Sequence, residues 1–264
     1  QAITQNHDGG DFNLRREAIY GRDENINRFC ISPMMDSLLM LEAEYPWVIL
    51  PSKREEWLRE LRTLVDYQYR TYGPREPLDP VKPRYYPNMD VHHLLIMEWA
   101  WRLFGDEKYR DDRDTMLQWL SDALYPMGAW TYIWPQNECY VYHQLNVTFI
   151  ARYYQVTGDE RALEILRRSA GYYPLVHDAE GMTESYTDCS WKHYWSAAAP
   201  AGADVIAGMF DDGANKLAAL DAAQRRQAKR DRPDEAAVED FRVGGDHALG
   251  PKRRDGRGRC LRGR

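Results

Sequence analysis

The 264-residue chain is 44% hydrophobic, enough to build a sizeable core, and its formal net charge of −6 argues against a nucleic-acid-binding protein. No apolar run reaches the ~20 residues that a membrane-spanning helix needs. Its four cysteines, Cys30, Cys139, Cys189 and Cys260, are widely spaced and form no CxxC pair, which excludes a zinc-ribbon signature and a dense disulfide framework.

Charge and aromatic residues are unevenly distributed. Residues 221–264 hold 13 Lys+Arg against 8 Asp+Glu, whereas residues 1–220 carry a net −11, and all 18 Tyr and 9 Trp lie at or before Trp195. Tyr and Trp offer flat apolar faces with a polar edge, which suits both helical cores and grooves that stack on sugars. The chain begins at Gln1 rather than Met, which fits either a trimmed boundary or a mature protein whose secretory signal has been removed. The expected location is secreted or periplasmic.

Residues 1–25 read as an irregular leading segment. Helical patterns then follow in pairs. "NINRFCISPMMDSLLMLEAEYP" (27–46) carries an apolar stripe and stops at Pro46. In "SKREEWLRELRTLVDYQYRTYG" (52–73), Ser52 followed by Glu55 predicts a capping box. A Pro-rich loop spans 74–87. Next, "MDVHHLLIMEWAWRLFG" (89–105) is apolar nearly all round, as a buried inner helix should be. Its partner, "DEKYRDDRDTMLQWLSDALY" (106–125), is amphipathic. After a short β-like loop, "GAWTYIWP", the order repeats: apolar 139–158, then amphipathic 159–173.

The turns repeat as well. "FGDEKY" (104–109) and "TGDERA" (157–162) stand 53 residues apart. In each, Gly ends one helix in a left-handed cap and Asp opens the next at its positive end. Two such turns, each after an apolar helix, predict stacked helical hairpins over residues 26–220. The expected fold class is all-α, an (α/α) toroid of hairpins, complete or incomplete, with long loops lining a cleft; a helical solenoid is the alternative. From about Ala197 the composition changes, with one or two further helices expected. Residues 221–264 are Arg-, Asp- and Gly-rich and are expected to form a basic, disordered tail. So abrupt a change is also what an altered reading frame or a truncation produces.

Four clusters could carry chemistry. "YYPNMDVHH" supplies Asn88, Asp90, His92 and His93 at the start of an inner helix. "QNECYVYHQLN" supplies Asn137, Glu138, Tyr140, Tyr142, His143 and Asn146 at the same place in the next hairpin. "TESYTDCSWKHYW" adds Glu184, Tyr186, Asp188, Trp191, Lys192, His193, Tyr194 and Trp195, and the aromatic loop adds Trp130, Tyr132 and Trp134. The histidine spacings fit no HExxH metal site, and no GxSxG elbow is present. No cofactor is expected. For one of His92 and His93, simple satisfied packing is the natural reading.

One reaction uses amide, imidazole, phenol and a cation together: β-elimination on a uronic-acid polysaccharide. The C5 proton beside the carboxylate becomes removable only when the carboxylate charge is neutralised. A tyrosine can act as base, but its ordinary pKa of about 10 requires a nearby cation such as Lys192 or a charged His. Donors aimed at the developing enolate lower the barrier further.

The order Asn88, then Glu138 and His143 in "NECYVYH", then a basic residue and Tyr in "SWKHYW", resembles polysaccharide lyase family 38, (α/α)-toroid enzymes acting on glucuronan or alginate by metal-independent elimination. The resemblance covers residues 25–195. It implies that Asn88 and Glu138 hold the substrate carboxylate, that His143 assists as neutraliser or base, and that Tyr194 is base and acid in one, with Tyr186 as rival. Tyr186, Trp130, Trp134, Tyr140, His92 and Trp191 would contact substrate. Where the family pattern carries an arginine ahead of the tyrosine, this chain has Lys192, a point charge without the bidentate fork. The implied partner is an anionic polysaccharide, with neither nucleic acid nor membrane. Two other readings remain open. A glycoside hydrolase would draw its carboxyl pair from Asp90, Glu138, Glu184 and Asp188, and a non-catalytic carbohydrate binder would use the aromatic groove alone.

Overall fold

The computed structural model describes residues 26–72, 86–131, 138–177 and 201–230. These residues are all-α, with two isolated β-bridges, Leu124 to Trp130 and Thr131 to Glu138, in place of strands. The helices are α1 (Ile26–Glu44), α2 (Pro51–Tyr72), α3 (Pro87–Phe104), α4 (Glu107–Asp122), α5 (Tyr140–Thr157), α6 (Glu160–Ser169), α7 (Tyr172–Val176), α8 (Ala201–Phe210) and α9 (Gly213–Arg230).

They form two layers. The inner row runs α1, α3, α5, α8, each packed on the next; α2, α4, α6 and α9 each return antiparallel to an inner partner. The sequence explains the division. On α3 nearly every side chain from Val91 to Ala100 is buried, as an inner helix walled by neighbours requires. On α4 only one stripe, including Tyr109, Met116, Leu117 and Leu120, is buried. Each fully buried side chain of this size contributes about 1.5–3 kcal/mol.

The repeated turns have the predicted geometry. Gly105 (φ 73°) and Gly158 (φ 67°) are left-handed caps, each donating its N–H to the carbonyl four residues back, Trp101 and Tyr154, at 2.8 Å. In the last hairpin the left-handed position is filled by Asp211 (φ 54°), while the Asp212 carboxylate accepts from the N–H groups of Ala214 and Asn215.

A charged chain ties these turns together. Glu98, fully buried on α3, accepts from Arg102 at 2.5 Å and from Arg113 of α4 at 2.6 Å. Arg113 continues to Asp114, Asp114 to Arg161, and Arg161 to Asp159.

Three details differ from the sequence reading. Helix α2 starts at Pro51, so Ser52 lies inside it and is not its cap; a proline ring preset near φ −65° suits the first helical position. The outer helix expected over 159–173 ends at Ser169, and the chain restarts as the short α7. Helix α9 reaches Arg230, into the segment read as tail.

Candidate active site at the N-terminal ends of the inner helices

The inner helices run parallel, so their N-termini share one end of the array. Side-chain contacts show the register. Arg28 of α1 meets Asp90 of α3 at 3.2 Å, and the His92 ring of α3 lies 4.4 Å from Phe29 of α1 and 4.4 Å from Phe149 of α5. Near the N-terminus of α8, a side chain at Gly202 would strike Tyr173 and Gln144. Four helix N-termini at one end leave unsatisfied N–H groups and partial positive charge there, which favours an anion.

His143 stands three residues into α5, 1% exposed, walled by Trp130 (ring centroids 5.1 Å apart), Tyr172 (4.3 Å) and Tyr173 (5.0 Å). Burial alone pushes its pKa down to about 3, so it is neutral in ordinary buffers. The Trp130 backbone N–H points at its Nδ1 at 3.4 Å. A nitrogen that accepts carries no hydrogen, so the ring's N–H is at Nε2. That Nε2 is buried without a partner. The side-chain amide of Asn146, one turn further on the same face, is fully buried with neither its nitrogen nor its oxygen bonded.

On α3, Asn88 is buried with its Oδ1 unpartnered, and both His92 nitrogens are in the same state. Burial, with Arg28 as a second cause, lowers the His92 pKa to about 4. Asp90 and His93 differ. Asp90 pairs with Arg28, and His93 Nε2 is 2.8 Å from Asp112 of α4, although its Nδ1 is buried without a partner.

Tyr140 opens α5, buried, with its hydroxyl 2.8 Å from His177 Nε2 and its ring against Tyr172 and Tyr173. Glu138 is half-buried and bridges to Thr131. The substrate contacts expected of Trp130, Tyr140 and His92 do not fit their burial, at 1%, 1% and 2% exposed; the Trp130 indole N–H donates to the Leu120 carbonyl at 2.7 Å, and its ring braces His143. Lys192, Tyr194, Tyr186, Trp191 and Trp134, with Glu184 and Asp188, lie outside the described residues.

Thus the fold gathers Asn88, His92, Glu138, Tyr140 and His143 at one end, and adds Tyr172, Tyr173 and His177, which the sequence reading passed over. The sequence places Tyr172 and Tyr173 at the end of the amphipathic helix 159–173 and His177 beyond it. The signal was the doubled tyrosine and the histidine after the periodic pattern ends. Among the described residues no group of three or more His, Cys, Asp or Glu could hold a metal, and no helix is long and apolar enough to cross a membrane. A groove of about 390 Å³ between α4 and α6, lined by Gln118, Ser121, Glu160, Arg161 and Glu164, lies on the outer layer. Comparison with known protein families and with curated proteins finds no match.

Proposed function

We propose that the chain is a secreted or periplasmic polysaccharide lyase that cleaves a uronic-acid polysaccharide, glucuronan or alginate, by metal-independent β-elimination on an (α/α) toroid. The observation that carries this reading is the buried, unpartnered Nε2–H of His143 at the end where the inner-helix N-termini meet. A neutral donor held in a desolvated site is what a developing enolate needs, because it is already oriented and costs no reorganisation. Curvature supports the toroid: Asp36 of α1 reaches Arg152 of α5 at 2.8 Å, and Phe29 and Phe149 close on His92, so the helices flanking α3 approach one another on one side of it.

In this reading His143 and Asn88 donate to the substrate carboxylate with Glu138 beside them. His143 is a donor and not the base, since its lone pair is turned to the Trp130 N–H. Tyr194, two residues after Lys192 in the sequence, removes the C5 proton and returns one to the departing O4 oxygen. Tyr186, Trp134 and Trp191 hold neighbouring sugars. The hydrolase alternative loses one of its carboxylates, because Asp90 is engaged by Arg28.

The test is ultraviolet absorbance over time on glucuronan, alginate, pectate and glycosaminoglycans, with and without chelator. A chelator-insensitive rise from the unsaturated product, abolished in Tyr194→Phe, supports elimination. New reducing ends without absorbance, with loss of activity in Glu138→Gln, would move the assignment to hydrolysis. Saturable binding without cleavage would leave a carbohydrate binder.

A further inference from the structure

Helices α1 and α2 are joined by a turn, "YPWVIL" (45–50), that is apolar yet open to water: Trp47, Val48 and Leu50 are 76%, 59% and 67% exposed. Leu41 at the end of α1, Tyr45 and Trp57 of α2 are exposed as well, and the Tyr45 and Trp47 rings meet edge to face at 6.0 Å. Trp57 shares one stripe of α2 with Leu61 and Leu64, four and seven residues on, but Leu61 is the first of that stripe to be buried. The core-facing stripe therefore runs on past the core, through Trp57 to Leu50, whose carbonyl accepts the Arg54 N–H at 2.9 Å. These six side chains leave roughly 700 Å² in water, above the ~300–600 Å² of the largest apolar patch on a typical monomer and close to the ~800 Å² that each partner brings to a standard interface.

We propose that the chain forms a two-fold dimer through this surface, the α2 helices of two copies crossing antiparallel at Trp57 with the two Trp47 rings packed beside them. Charge favours a second copy as the occupant. Lys53 and Glu60 fall on the same flank of Trp57, four residues before it and three after, so an antiparallel crossing sets Lys53 of each copy against Glu60 of the other. Within one chain Lys53 reaches Glu56 at 2.6 Å and Glu60 reaches Arg59 at 3.9 Å, all with exposed side chains that can re-pair. The rim does not suit an anionic membrane surface, since residues 42–60 carry five Glu against three Lys+Arg. The inference is independent of the lyase reading: the surface lies at the C-terminal end of α1, whereas Arg28 and Phe29, which meet Asp90 and His92, lie at its N-terminal end.

The experiment is sedimentation velocity on the full chain across a concentration series, with far-ultraviolet circular dichroism to confirm that each variant keeps its helices. The wild type should sediment as a dimer at the upper concentrations. Trp47→Ser, at a position the core does not use, should weaken the dimer about thirtyfold or more. Lys53→Glu and Glu60→Lys should each weaken it about fivefold by setting like charges together, and the two changes combined in one chain should restore wild-type affinity, because the same pairs form with signs exchanged. A wild type that stays monomeric throughout would overturn the proposal, including a monomer that floats with phosphatidylcholine vesicles, which would give the surface to a membrane. A dimer that Trp47→Ser leaves unchanged, or a combined variant no tighter than the single reversals, would overturn it too.

Discussion

The two buried imidazoles predict a stability loss in mild acid that can be traced to single residues. His143 and His92 have folded-state pKa values lowered to about 3 and about 4, while the unfolded chain titrates them at the ordinary value near 6.5. Because each folded value lies below the unfolded one, the unfolded chain binds the extra protons. The stabilisation is therefore fully present above about pH 6.5 and is lost as pH falls toward 4 for His92 and 3 for His143. At pH 5, about one and a half pH units below the ordinary value, each residue has cost about 2 kcal/mol, so together about 4 kcal/mol has gone. That is a large share of the ~5–15 kcal/mol of a typical domain. The carboxylates of Asp66, Asp114 and Asp159, pushed up by partial burial but held low on balance by hydrogen bonds from lysine, arginine and tyrosine, lose their contribution only below about pH 4, outside the pH 5–7 range of the assay.

The assay is urea unfolding at pH 7, 6 and 5 in the wild type, His143→Gln and His92→Gln. Each variant should remove about one proton from the pH slope, whatever it does to stability at pH 7. Slopes identical to wild type in both variants would refute the reasoning, as would imidazole NMR signals that titrate near the ordinary value.

Three further outcomes follow from packing. Glu98→Gln should cost about 3 kcal/mol in the urea midpoint, because Arg113 loses its charged partner in a buried setting; Arg102→Ala, at the more exposed end of the same carboxylate, should cost under about 1 kcal/mol. Gly202→Ala should destabilise by about 1–3 kcal/mol, since its methyl would fall 1.7 Å from the hydroxyl of the fully buried Tyr173; melting identical to wild type would show that α8 does not pack there. Asp211→Gly should raise stability by about 1 kcal/mol, read as a higher Tm, because a left-handed backbone is easier for glycine.

The sequence by itself determined the all-α class, the inner and outer identity of the helices and the turns at Gly105 and Gly158. Those features depend on interactions between residues three or four apart and on local backbone preferences, which a linear reading captures. It also marked the end where polar groups gather, because Asn88, His92 and His143 interrupt apolar helices. Only the tertiary structure decided which of those groups are spoken for. Asp90 and Asp112 lie 62 and 19 residues from the partners that satisfy them, Arg28 and His93, so no local pattern separates His93 from His92 or Trp130 from a sugar platform. The hydrogen on His143 Nε2 and the missing partner of Asn146 are likewise consequences of which helices meet. Burial turns an ordinary imidazole or amide into a costly, oriented donor, and burial is a property of the packed array.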